Sequence, residues 1–152
     1  MSQHTRDAYA VLLPVVSELS VSPWLRTLLE RGTVAVLPGE SREEYVARRM
    51  SARRRATETA VDFTRFVTEV EDLAGAPVLV AVDQEPWGIQ RLHGLVPSYP
   101  EPSLLPQLSD EEIRASSKAV ATAAAGLGVN MFLGRVRKVA ASLVCSWCVV
   151  MS

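Results

Sequence analysis

One apolar run and its abrupt end constrain this chain more than any other feature. Residues 78–82 (VLVAV) carry no polar side chain and no alternation. A strand with one wet face alternates; a strand buried on both faces, as in a parallel sheet, does not. The run stops at Asp83, with Gln84 and Glu85 behind it. Polar side chains at the carboxyl end of a buried strand are costly unless they find hydrogen-bond partners. In α/β proteins, open or closed, that end is also where ligands bind. Asp83 is therefore either a capping residue of the loop that follows or a ligand-binding carboxylate.

The rest of the chain surrounds this run with alternating elements. Residues 1–7 are polar and are expected to fray. Residues 9–16 (YAVLLPVV) form the first apolar run and the first predicted strand. Ser22 is a good N-cap and Pro23 suits the first helical position, which predicts a helix over 24–31 that stops at Gly32. Residues 33–37 (TVAVL) are a second buried-type strand, ended by Pro38 and Gly39. Ser41 and Glu44 have the spacing of a capping box. They open a helical region that reaches Ala74 and closes at Gly75. Thr57 and Thr59, weak helix formers, are where it divides in two. Phe63, Phe66, Val67, Val70 and Leu73 give its second half one apolar face.

After the central strand, residues 93–107 hold Pro97, Pro100, Pro102 and Pro106, which excludes a regular helix. A long irregular segment after a strand is often functional. Ser109 and Glu112 form a second capping box, and a helix follows to Gly126 or Gly128. Residues 129–133 (VNMFL) are the fourth strand. The order strand, helix, strand, helix, strand, helix, strand predicts an α/β protein of parallel strands with helical crossovers. Periodicity alone leaves a doubly wound sheet and a piece of a (β/α)8 barrel both open.

Composition narrows the partners. The chain has 152 residues, enough for one domain, and a formal net charge of -1, which gives no bulk attraction to nucleic acid or to acidic membranes. The run Arg48, Arg49, Arg53, Arg54 and Arg55 is flanked by Glu43, Glu44 and Glu58 and has no glycine loop or interleaved aromatics. It reads as a solvated helix face rather than a phosphate-binding patch. No apolar run reaches the roughly 20 residues of a membrane helix, and no signal peptide is expected. Two cysteines make no disulfide framework, so a cytoplasmic location is the default. Cys145 and Cys148 have C-x-x-C spacing, which fits a redox pair, half a zinc site or two incidental buried thiols. Only His4 and His93 are on hand to complete a zinc site. No metal and no cofactor are expected.

The stretch Asp83-Gln84-Glu85-Pro86-Trp87-Gly88-Ile89-Gln90-Arg91-Leu92, directly after a buried strand, resembles the D-Q-E-G-G-x-V-Q-R-L stretch of family 3 glycoside hydrolases. These are the β-N-acetylhexosaminidases and β-glucosidases whose N-terminal domain is a (β/α)8 barrel. Leu127-Gly128-Val129-Asn130-Met131-Phe132 resembles that family's "lGvNmnf" strand, and residues 32–37 fall where it has its second strand. The resemblance spans roughly residues 21–134.

It implies about half of a TIM-type barrel, with residues 1–134 an incomplete N-terminal domain and 135–152 an unmatched apolar tail. It further implies that Asp83 hydrogen-bonds sugar hydroxyls in the −1 subsite and that Arg91 is its basic partner there. The other reading of Arg91 is a salt bridge to Asp83 or Glu85 that only braces the loop. Gln84 and Glu85 are expected to brace the loop. Pro86-Trp87 replaces the family's Gly-Gly, so the loop path differs. Trp87 either stacks on a sugar ring or plugs the barrel mouth.

Retaining glycosidases need two carboxyl groups about 5 Å apart. The family's nucleophilic Asp comes from a late barrel strand, and a whole barrel takes about 250 residues. A truncated or frame-shifted product, with no catalytic residue of its own, is the expectation. The implied partner is a β-linked carbohydrate, and self-association through two open barrel edges is expected. The implied function is therefore a fragment of an exo-β-glycosidase. The alternatives are a non-catalytic binding or regulatory half barrel, or a small redox protein using Cys145 and Cys148.

Overall fold

The computed structural model describes residues 2–86, 88–135 and 146–150. Its centre is a five-stranded sheet in the order β1-β2-β3-β4-β5. The strands are β1 (Val15–Val16), β2 (Ala35–Pro38), β3 (Leu79–Asp83), β4 (Met131–Arg135) and β5 (Ser146–Val150). The first four pair in parallel, and β5 lies antiparallel against β4. The helices are α1 (Gln3–Ala10), α2 (Pro23–Glu30), α3 (Arg42–Ala47), α4 (Ala52–Thr57), α5 (Ala60–Ala74) and α6 (Asp110–Gly126). The protein is thus α/β, with four parallel strands and helical crossovers. The strands follow one another in chain order, without the reversal that marks a doubly wound sheet.

All three longer crossover helices serve one face of the sheet. Val36, Val80 and Val82 share a cluster with Leu25 of α2, Phe66 of α5 and Ala124 of α6. Side chains alternate along a strand, so Ala35, Leu37, Leu79, Ala81 and Asp83 point the other way, and none of them joins that cluster. Ala81, Val80 and Val82 are fully buried, as the unbroken run in the sequence required. Asn130, just ahead of β4, extends the ladder. Its amide donates to the Val78 carbonyl at 2.9 Å and accepts from the Val80 N–H at 2.9 Å.

Local signals account for most helix ends. Ser41 with Glu44 and Ser109 with Glu112 form complete capping boxes. Pro23 opens α2 and Gly75, at φ 66°, closes α5. Phe63, Phe66, Val67 and Val70 are the buried face of α5. The proline-rich segment holds a single 3-10 turn, Pro102–Gln107.

Three expectations are corrected. The amino terminus does not fray into a long strand: α1 forms, capped by Ser2, and its last turn is tied down where Thr33 donates to the Tyr9 carbonyl at 3.0 Å. The first strand shrinks to Val15–Val16. Pro14, just ahead of it, has no N–H to give, and only its carbonyl pairs, with the Leu37 N–H at 2.9 Å. The region between Ser41 and Gly75 breaks twice, not once. The chain turns left-handed at Arg48 (φ 52°) and restarts at Ser51, which caps α4, and again at Thr59, which caps α5 with Asp62. β5, part of the stretch the sequence left unmatched, lies antiparallel along the outer side of β4, with Leu133 opposite Cys148, so the two edge strands are β1 and β5. Val15 on the β1 edge is 56% exposed.

Gly128 shows how tightly α6 is joined to β4. It has φ +88°, and a Cβ there would sit 2.7 Å from a Val67 methyl of α5. Left-handed backbone at a non-glycine residue costs about 1–3 kcal/mol before any clash. Gly128→Ala is expected to lower the unfolding free energy by about 2 kcal/mol or more, measured by urea denaturation. A midpoint equal to the parent's contradicts this packing.

Candidate functional site

Parallel pairing brings the carboxyl ends of the strands to one rim. In the β2–β3 register Val36 lies beside Val80. Continued along both strands, that register sets Gly39 level with Asp83, so Glu40 stands one residue beyond it. Neighbouring strands run about 4.8 Å apart. Asp83 and Glu40 therefore share the rim of adjacent strands.

The loop after β3 folds straight back on itself. The Arg91 N–H donates to the Asp83 carbonyl at 2.9 Å, and the Glu85 N–H donates to Ile89 at 2.8 Å. Gln84 is buried, and its Oε1 accepts from the Leu92 N–H at 3.0 Å. That is the bracing role read from the sequence. Trp87 lies outside the described residues, as does Cys145.

Arg91 comes to rest below this rim, wholly buried, with its guanidinium 5.7 Å from the Phe63 ring centroid. It braces the fold through a carboxylate that neither sequence reading named. Its Nη1 and Nη2 donate to the two oxygens of Glu58 at 2.8 and 3.3 Å. Asp83 and Glu85 make no ion pair with it among the described residues. Glu58 in turn accepts from Arg54 Nε and Nη2 at 3.0 and 2.8 Å, and Arg54 Nη1 donates to Glu44 at 2.6 Å. Glu44 also accepts from the Ser41 and Ser51 N–H groups, at 3.0 and 2.8 Å, and so joins the starts of α3 and α4. Arg54 is therefore no part of a solvated basic face. It is buried between two acids, while Arg48, Arg49, Arg53 and Arg55 stay exposed. The i,i+4 spacing of Arg54 and Glu58 was the one sequence signal for this chain of charges.

Charge and burial set the proton affinities. Burial alone would raise the Glu58 carboxyl, but the guanidinium groups of Arg91 and Arg54 outweigh it and hold it at about 2. The His93 Nε2 stands 3.7 Å from Glu58, beyond hydrogen-bond range, and is buried without a partner among the described residues. Glu44 is also held at about 2: burial pushes it up, while Ser51, Ser41 and Arg54 pull it down further.

The rim behaves in the opposite way. Asp83 is pushed up by burial and then by the Glu85 charge. No side chain among the described residues hydrogen-bonds its carboxylate. Glu40 is pushed up by burial and then by Asp83, with Arg91 and Arg54 pulling weakly the other way. Both Glu40 oxygens are shut off from solvent, and no other residue among those described donates to them. The Arg91 Nε–H is likewise buried and has no acceptor among the described residues.

Glu40 was missed in the sequence. The signal was there: it is a polar residue just past a buried strand, as Asp83 is. A groove of about 730 Å3 lies along α5 and the end of α6, away from the rim. A polar hollow of about 290 Å3 opens beside Arg54 and Glu58, lined also by Glu18 and Ser20. Among the described residues, no three His, Cys, Asp or Glu gather as metal ligands would, and no helix is long and apolar enough to cross a membrane.

Four parallel strands in chain order, helices on one face and acidic groups at the carboxyl rim define an α/β protein with a candidate ligand site at its strand ends. The chain matches no protein-family model and no curated protein.

Proposed function

We propose that this chain is the early part of a (β/α)8 domain of the family 3 glycoside hydrolase type, and that its strand ends bind a β-linked saccharide. The observation that carries this reading is Asp83. It is a half-buried carboxylate at the end of a parallel strand whose three middle residues are buried, with no side-chain hydrogen-bond donor among the described residues. A carboxylate only accepts, and sugar hydroxyls supply the donors it lacks. Chain-order strands with helices on one face support the barrel geometry over a doubly wound sheet. Asp83 is the group that meets the sugar. Arg91, shut in behind the loop with Glu58, holds Asp83 and the strand end in place. Trp87, carried on the same loop, supplies a stacking face. The nucleophile of such an enzyme belongs to a late strand, so the early strands bind without turnover.

One observation favours a second reading, a non-catalytic binding or regulatory half barrel: β5 occupies the edge of β4 where a further parallel strand would pair. In either case the edge strands, β1 and β5, are where a second copy would add.

The chain is expected to bind N-acetylglucosamine or methyl β-glucoside, followed by amide NMR shifts, and not to hydrolyse 4-nitrophenyl β-N-acetylglucosaminide or β-glucoside. Asp83→Asn is expected to weaken binding by about 10-fold or more, the worth of hydrogen bonds to a charged group. No binding by the unsubstituted chain, or equal binding by Asp83→Asn, overturns the carbohydrate reading. Turnover by the chain alone overturns the view that it lacks its nucleophile.

A further inference from the structure

The outer side of β1 lacks the devices that normally keep a sheet edge to itself. The Pro14 and Val16 carbonyls accept from the Leu37 and Gly39 N–H groups at 2.9 and 2.8 Å. Backbone groups alternate sides along a strand, so the N–H and C=O of Leu13 and Val15 point away from β2, out of the sheet. Edges are commonly guarded by a charge, or by a proline whose missing N–H faces solvent. Here neither guard is in place. Pro14 turns its ring nitrogen towards β2, on the same side as its bonded carbonyl, and residues 8–17 carry no charged side chain. The run is open to contact: Val11, Leu12, Leu13 and Val15 are 82, 39, 39 and 56% exposed. Val16 packs into the core with the helices, so Leu13 and Val15 share the opposite face.

We propose that two copies of this chain pair through the β1 edge, antiparallel about a two-fold axis, with Leu13 of one copy opposite Val15 of the other. The outward backbone groups single out this register. An axis beside Pro14 brings Leu13 and Val15 together on both sides of it, and each meeting exchanges both N–H···O=C bonds. The two prolines meet at the non-hydrogen-bonded position between them, where no N–H is needed. A second copy is the occupant the edge fits, because the edge is complementary to itself: apolar side chains face apolar ones and no like charges meet. So short a contact gives a weak, reversible dimer, with a dissociation constant on the order of micromolar or above. This pairing does not depend on the carbohydrate reading.

Sedimentation equilibrium of the full chain between about 10 µM and 1 mM tests it. Val15→Lys puts a charge into the shared apolar patch, and is expected to raise the dissociation constant by about 10-fold or more. Val61→Lys, at a 72% exposed site on α5, is expected to leave it unchanged. Should Val15→Lys fail to fold, the unsubstituted chain decides: hydrogen exchange at the Leu13 and Val15 amides slows as its concentration rises. Exchange there that ignores concentration overturns the pairing, as does a chain that stays monomeric to about 1 mM. A dimer that Val15→Lys leaves intact also overturns it, and loss of that dimer in Val61→Lys assigns the contact to the groove along α5 instead.

Discussion

Glu58→Gln is expected to lower the unfolding free energy by about 3–5 kcal/mol, the cost of leaving a buried charge without its partner. The reason lies in Arg91. Its side chain is 0% exposed, and Glu58 is its only carboxylate partner among the described residues. Glutamine keeps the shape of Glu58 but returns no charge to either arginine. Arg54 still has Glu44 at 2.6 Å, whereas Arg91 is left with the Phe63 ring face at 5.7 Å. Cation–π attraction is worth about 2 kcal/mol at best and does not replace the pair. Thermal denaturation should show the midpoint falling by about 10 °C. A second variant separates a stranded charge from a lost contact. Glu58→Gln combined with Arg91→Met removes the cation as well, and should be less destabilised than Glu58→Gln alone. A Glu58→Gln midpoint within about 0.5 kcal/mol of the parent contradicts the buried chain of charges.

Acid is expected to unfold the protein between about pH 5 and pH 2, and the same two carboxylates explain why. Glu44 and Glu58 are held at about 2 in the folded chain, below their ordinary value of 4.5. The unfolded chain therefore takes up protons first as pH falls. The stability these groups contribute is complete above about pH 5 and is lost as pH drops through their folded values. The displacement from 4.5 to about 2 corresponds to about 3 kcal/mol for either group alone. The pair gives less than twice that, because both lean on Arg54.

Glu40 and Asp83 work in reverse. Their folded affinities are raised, so the folded chain binds protons first and is relieved of repulsion on mild acidification. The stability profile should therefore rise as these two groups take up protons on mild acidification, and fall steeply below about pH 5 as Glu44 and Glu58 are protonated. Urea midpoints across pH 2–8 check the shape. Glu58→Gln should flatten the acid limb, and Glu40→Gln the rise that precedes it. An acid limb unchanged in Glu58→Gln counts against this assignment.

How much of this was legible beforehand depends on the range of the interaction. The central strand, the capping boxes at Ser41 and Ser109, the glycine stop at Gly75 and the apolar face of α5 all follow from neighbours within about a helical turn. Such signals are printed in the sequence because the partners are. The pairing of Arg91 with Glu58, 33 positions away, is not printed there, and Asp83 or Glu85 looked like closer partners. Arg54 sits among exposed arginines and differs from them only in where α4 turns it. Asn130, 50 positions from Val80, showed no sign of completing a ladder.

The sequence by itself determined that a parallel α/β sheet forms and that a carboxylate stands where its central strand ends. An unbroken apolar run has no other way to hide both its faces, and the polar residue after it must lie at a strand end. Only the tertiary structure decided that both Glu40 oxygens are buried, that Arg91 is sealed in by Glu58, and that β5 lies along the outer side of β4. Those choices depend on strand register and on which charges meet once water is excluded. Both are set by the packing of distant segments rather than by any stretch of chain.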